Sequence, residues 1–135
     1  IDFQNGGIIM TREEIIEYCR TYPDAIEDYP FDDKNSTIIR HSNNRKWFAL
    51  IFEMNGKLCI NLKCKPMEAD FFRRVYTDVS PAWHMNKVHW NTVTINGDVP
   101  EEELFAMIQQ SFDLTKTVKL SSVVKDKCQK KPKVQ

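Results

Sequence analysis

The sequence predicts an α+β protein of two layers, a mainly antiparallel sheet with helices packed on one of its faces. Three observations carry this expectation. Segments of helical period stand near both ends of the chain and once in its middle, and strand-like segments are grouped between them. The segment 58–63 alternates cleanly: Leu58, Ile60 and Leu62 share one face and Cys59, Asn61 and Lys63 the other, so one face is covered and one at least partly wet. Asn55-Gly56 between two strand-like runs is a hairpin signal, because a type I′ turn needs positive φ at both positions. A chain of 135 residues is long enough for one such core and too short for two.

Each element has its own signal. Thr11-Arg12-Glu13-Glu14 has the form of a capping box, a hydroxyl at the cap and a carboxylate three residues on. Ile15, Ile16, Cys19 and Tyr22 follow at helical spacing, so a first helix is expected over about 12–21, ending before Pro23. The acidic stretch from Pro23 to Asn35, with two prolines, reads as a loop. Three strands are expected next, at 37–41, 47–53 and 58–63. Pro66 opens a second helix to about Tyr76, with Glu68 and Asp70 early and Arg73 and Arg74 late, as the helix dipole favours. A segment rich in histidine and tryptophan then leads into a strand at 91–95, Val93 and Ile95 inward, Thr92 and Thr94 outward. Asn96-Gly97 is a further turn. Pro100 opens the third helix, whose buried stripe is Leu104, Met107, Ile108, Ser111 and Phe112. The expected order is α-βββ-α-ββ-α, with the first and third helices on one face. Residues 1–9 are expected to be an extension ahead of a native start at Met10, residues 10–119 the domain, and residues 120–135 a lysine-rich flexible tail.

Composition excludes several classes of function. No apolar run approaches the roughly 18 residues of a membrane span, and the first residues lack the basic and apolar regions of an export signal. The four cysteines, Cys19, Cys59, Cys64 and Cys128, form no Cys-x-x-Cys pair. Reduced thiols in a cytoplasmic protein are therefore expected, without a zinc or redox motif. Cys19 and Cys59 read as core residues. Cys64, followed by Lys65, is the thiol that basic neighbours would activate, and packing where a strand meets a helix is its alternative role. The four glycines, Gly6, Gly7, Gly56 and Gly97, form no phosphate loop, and no serine sits in a nucleophile elbow. Neither an enzyme nor a cofactor is expected.

The formal net charge is zero, yet charge is segregated. Residues 1–33 carry nine acidic and two basic groups, residues 34–65 one and seven, residues 66–114 eight and three, and residues 115–135 one and seven. The basic central block and the basic end can favour a polyanion locally although the whole chain does not. The densest chemistry lies in Pro81-Ala82-Trp83-His84-Met85-Asn86-Lys87-Val88-His89-Trp90-Asn91, with two of the three histidines and two of the three tryptophans. No simple period fits this run.

Tyr22-Pro23-Asp24-Ala25, Asn61-Leu62-Lys63-Cys64, Pro81-Ala82-Trp83-His84-Met85-Asn86-Lys87 with His89-Trp90-Asn91-Thr92, and Pro100-Glu101-Glu102-Glu103-Leu104 occur in this order. Together they resemble the MmcQ/YjbR-like family of small bacterial proteins over about residues 10–114. Trp83 stands where the family often has tyrosine, and the lysine-rich end after Leu120 is outside the family pattern. The resemblance implies a compact fold like that of the frataxin/CyaY group and a "double-wing" DNA-binding protein.

Two sets of site residues follow. Arg40, Arg45, Lys46, Lys57, Lys63, Lys65 and Lys87 are candidate phosphate contacts on strands, hairpin tips and the His/Trp run; their alternative role is to keep sheet edges soluble. Trp83, His84, Asn86, His89, Trp90 and Asn91 are candidate contacts to a base or a small ligand. Their alternative is structural: tryptophans in the core, Asn86 and Asn91 bonding loop backbone. His84 and His89 lack helical spacing and a nearby acid, so no metal is expected. The acidic residues Glu13, Glu14, Glu17, Asp24, Glu27 and Asp28 invite comparison with iron binding in frataxin-like folds but read better as a solvated face. The expected function is non-enzymatic binding of double-stranded DNA through basic hairpin wings, by a monomer away from membranes. The alternative is a small-molecule-binding or regulatory domain using the segment from Trp83 to Asn91.

Overall fold

The computed structural model describes residues 9–116. Along them run α1 (Arg12–Arg20), β1 (Ala25–Asp28), β2 (Thr37–His41), β3 (Trp47–Met54), β4 (Lys57–Lys63), α2 (Pro66–Val75), β5 (Val79–Pro81), β6 (Trp90–Thr94) and α3 (Glu101–Thr115). The six strands form one sheet in the order β1-β2-β3-β4-β6-β5, antiparallel at every pairing. The α+β class holds. The order gains a strand, α-ββββ-α-ββ-α, because β1 lies inside the acidic segment expected to be a loop. Ala-Ile-Glu-Asp shows no strand pattern, and all four residues are half-buried. What makes them a strand is pairing with β2, reinforced by the Asp28–Arg40 ion pair at 3.0 Å. The expected extension, residues 1–9, and tail, residues 120–135, lie outside the described residues except for Ile9.

Local signals act as read. The capping box of α1 is complete: the Glu14 N–H donates to Thr11 Oγ1 and the Thr11 N–H to the Glu14 carboxylate. Asn55 and Gly56 both take positive φ, 56° and 77°, closing the β3–β4 hairpin. Ile15 and Cys19 of α1 and Leu104, Met107, Ile108 and Phe112 of α3 pack on Ile39, Ile51, Ile60, Leu62 and Val93 of the sheet. Phe72 of α2 and Tyr76, which caps its end, join the same cluster, so all three helices lie on one face.

A β-bulge completes this core. Ile39 pairs with Ala49 but Arg40 pairs with Trp47, leaving Phe48 as the extra residue. Strict alternation would put Phe48 on the face of Leu50. The bulge turns it instead into the helix-side cluster, against His41 and Phe112, and leaves Trp47 on the other face. Ser111 ties α3 to the sheet in the same place: its hydroxyl accepts from the Lys63 N–H at 2.9 Å and donates to the Phe48 carbonyl at 2.6 Å.

The second face carries no helix, but much of it is covered. Ile38, Leu50, Phe52 and Cys59 form a smaller cluster there, flanked by Trp47, Met54 and Met85. Asn61 is fully buried and Thr92 nearly so, which corrects the expectation of a partly wet strand face at Asn61 and an outward Thr92. Their cover is the segment that follows β5. The Asn61 amide donates to the Trp83 carbonyl, the Trp83 N–H donates to the Thr92 hydroxyl, and that hydroxyl donates to the Asn61 side chain. This closed triangle satisfies polar groups that burial would otherwise penalise.

Candidate nucleic-acid interface

Strand direction decides which candidate residues meet. Ala25 pairs with His41, Lys63 with Trp90 and Pro81 with Asn91, so these positions share one end of the sheet. The β2–β3 turn, the start of α2, the 82–89 segment and the end of α3 gather there. Hydrogen bonds confirm it: the Cys64 N–H donates to the His89 carbonyl at 2.8 Å, and the Asn44 amide to the Thr115 carbonyl at 2.9 Å. Arg45, Lys46, Lys63, Lys65 and Lys87 therefore crowd one end. Lys57 does not. It pairs with Met54 beside the Asn55-Gly56 turn, at the far end of β3, about 25 Å away at the usual rise per residue.

The β2–β3 turn is fixed by its backbone. The Arg45 N–H donates to the His41 carbonyl, the His41 N–H to the Lys46 carbonyl, and the Lys46 N–H to Asn44 Oδ1. Arg45 takes φ 66°, in the left-handed region that side chains avoid. Arg45, Lys46, Lys65 and Lys87 are exposed and Lys63 half-buried. Among the described residues none of the five is in an ion pair, whereas Arg20, Arg40, Arg74 and Lys116 all are. Burial first, then the charges of Lys116 and Lys46, hold His41 below its ordinary value of 6.5. Arg40 is placed differently. Its side chain is only 13 % exposed and is paired with Asp28, so its charge is already neutralised inside the fold.

The His/Trp run divides into structural and presented residues. Asn86 Oδ1 accepts from the Val88 and His89 N–H groups, shaping its own turn. The Asn91 amide donates to the Ala69 carbonyl, and its oxygen accepts from Arg73 Nε at 2.6 Å. Arg73 also donates to the carbonyls of Lys87 and Trp90, so one guanidinium holds both ends of the turn. Sequence reading placed Arg73 only as a helix-dipole partner; nothing in its spacing marks it as the organiser of the loop. Trp83 is 40 % exposed, stacked on buried Phe52 with centroids 5.1 Å apart and against His84 at 3.9 Å. His84, at φ 62°, Lys87 and His89 are exposed, and Trp90 is half-buried.

Other chemistry is weaker. Burial pushes the Cys64 thiol up to about 11, and Glu68 adds to this, so the lysines do not activate it. Burial likewise pushes Cys19 up to about 12. Among the described residues no group of three or more His, Cys, Asp or Glu side chains is placed to hold a metal ion, and no helix is long and apolar enough to cross a membrane. A cleft of about 340 Å³ beside α1 mixes Arg12, Arg20 and Lys34 with Glu13, Glu17 and Glu27. Arg12 there donates to Thr37 Oγ1 and the Ile51 carbonyl, which makes it part of the scaffold.

Comparison with known proteins gives relatives of nearly full length. A family model described as YjbR matches residues 20–114. The uncharacterised protein YyaQ of Bacillus subtilis is 34% identical over 119 residues, covering 80% of this chain and all of YyaQ. The uncharacterised protein YjbR of Escherichia coli is 31% identical, covering 76% of this chain and 85% of that one. A crystal structure of a Pseudomonas syringae protein superposes with TM-score 0.72 at 34% identity, over 79% of this chain and all of the other. A Deinococcus radiodurans protein does so with TM-score 0.74 at 25% identity, over 88% of each.

Proposed function

This chain belongs to the YjbR family, and from that premise we propose that it is a non-enzymatic protein that binds the phosphate backbone of DNA. The observation that carries the reading is the gathering of Arg45, Lys46, Lys63, Lys65 and Lys87 at one end of the sheet, none in an ion pair with another described residue. Basic groups that only kept edges soluble would be scattered among acids; a local excess of unpaired cations suits a polyanion. The β2–β3 turn, its backbone already fixed, presents two of them without further cost in backbone order. In a double-wing arrangement the β2–β3 turn is one wing. The β3–β4 turn with Lys57 lies a strand's length away and reaches only a distant part of the same molecule. We take the protein to act as a cytoplasmic monomer and its architecture to be of the frataxin/CyaY kind. A small-ligand role for the 83–91 segment has less support, because Asn86 and Asn91 are engaged within the fold.

The test is a salt titration against DNA and against an unrelated polyanion. Arg45→Ala with Lys46→Ala should weaken DNA binding at every sequence and reduce the slope of log K against log salt by about two for a duplex. No affinity for any nucleic acid at low salt would overturn the reading.

A further inference from the structure

The three tryptophans of the chain, scattered in sequence at Trp47, Trp83 and Trp90, share the helix-free face of the sheet. Trp47 flanks the cluster of Ile38, Leu50, Phe52 and Cys59 on that face, and Trp83 stacks on Phe52. Trp90 shares the face of Thr92 by strand alternation, and its cross-strand partner Lys63 shares the face of Asn61. Such a surface is costly to leave open: Trp83 is 40 % exposed, as is Phe31 at 42 %, which meets Trp47 edge to face at 5.8 Å. The two halves of the face differ in charge. Phe31 is followed by exposed Asp32 and Asp33. The half over β3, β4 and β6 instead runs out onto the basic end, at Lys63, Lys65 and Lys87.

Resting on the reading above, we propose that this second half binds single-stranded nucleic acid, stacking its unpaired bases on Trp83 and Trp90 while the basic end holds its phosphates. The chemistry selects this occupant. Flat, half-exposed aromatics on a face that ends in cations without an ion pair among the described residues match a strand whose bases and backbone are both within reach. Trp90 stands beside Lys63, and Trp83, stacked on Phe52, lies further along the same face. A duplex hides its base faces in the stack and offers them nothing to hold. An acidic protein would satisfy the lysines but not the tryptophans. The buried triangle of Asn61, Thr92 and the Trp83 backbone fixes Trp83 from below, so its indole is held ready before any strand arrives.

The experiment compares an oligothymidylate with a duplex of equal length on the whole chain. Trp83 and Trp90 are two of the chain's three tryptophans, so quenching of the intrinsic fluorescence reads occupancy of this half. Tighter binding of the single strand, with quenching at saturation, is expected. Trp83→Leu and Trp90→Leu should each weaken single-strand binding about tenfold and leave the salt slope as it was. Arg45→Ala with Lys46→Ala should lower that slope. Should a leucine variant fail to fold, strand preference and quenching in the unaltered chain still decide. Equal binding of both forms without quenching, or a change of oligomeric state in Trp83→Leu without nucleic acid, overturns the stacking surface but not the phosphate-binding reading. Absence of binding to either form overturns both.

Discussion

His41 shows how one residue records its surroundings. It is 2 % exposed, sits between Phe48 and Phe112, and exchanges a hydrogen bond of 2.7 Å with the Thr115 hydroxyl. Burial leads in lowering its pKa, and Lys116 and Lys46 add to it. In the unfolded chain the ring titrates near 6.5, so as pH falls the unfolded state takes up its proton first. His41 therefore costs nothing above that pH, and stability is lost as pH drops from about 6.5 through the lower folded value. The thermal midpoint should fall between pH 7 and 5.5. His41→Gln, which keeps a polar group for Thr115 but does not titrate, should flatten that decline. An unchanged slope in the variant would show that other groups set the acid sensitivity.

At the scale of elements, α3 is held by more than its apolar stripe. Ser111 sits in that stripe, fully buried, as the partner of the Lys63 N–H and the Phe48 carbonyl. The bulge at Phe48 leaves that carbonyl without its regular ladder partner, and the serine supplies one. Ser111→Ala removes a single atom and leaves two buried backbone groups unsatisfied, which costs about 1–3 kcal/mol. Urea unfolding should show the loss as a lower midpoint with unchanged m-value. Loss well under 0.5 kcal/mol would mean that water reaches both groups. Because Lys63 is itself one of the gathered cations and leads directly into Cys64 and Lys65, the same variant should loosen the basic end, seen as faster amide exchange at Lys63 and Cys64.

For the whole molecule, zero net charge conceals two faces. The acidic groups of α1, Glu13, Glu14 and Glu17, lie in the helix layer, and Arg45, Lys46, Lys63, Lys65 and Lys87, none in an ion pair with another described residue, lie at one end of the sheet. At 0.15 M ionic strength the screening length is about 8 Å, so a helix layer's thickness separates the two electrostatically. If the proposed DNA binding holds, Glu13→Gln with Glu17→Gln should leave the affinity unchanged at that ionic strength and raise it modestly at low salt, measured by anisotropy. A strong change at physiological ionic strength would place the acidic layer in the interface.

Much of the architecture was legible in the sequence because it rests on local chemistry. The capping box, the Asn55-Gly56 turn and the stripe of α3 each act through neighbours a few residues away and stand in the fold as read; the alternation of 58–63 divides its residues between two faces as read, but the second face at Asn61 is covered, not wet. β1 was not legible: Ala25 to Asp28 has no strand pattern, and only its pairing with β2 makes it one. The bulge that turns Phe48 inward depends on register between strands, which no single segment encodes. The same limit applies to the site. Composition marked the basic block and the His/Trp run. It could not show that Arg40 is neutralised by Asp28, that Lys57 stands at the opposite end from Arg45 and Lys46, or that Arg73 holds the loop. Which charges meet is set by strand direction and long-range pairing, so tertiary structure alone decided which described cations have no described ion-pair partner and that three tryptophans far apart in sequence share the helix-free face.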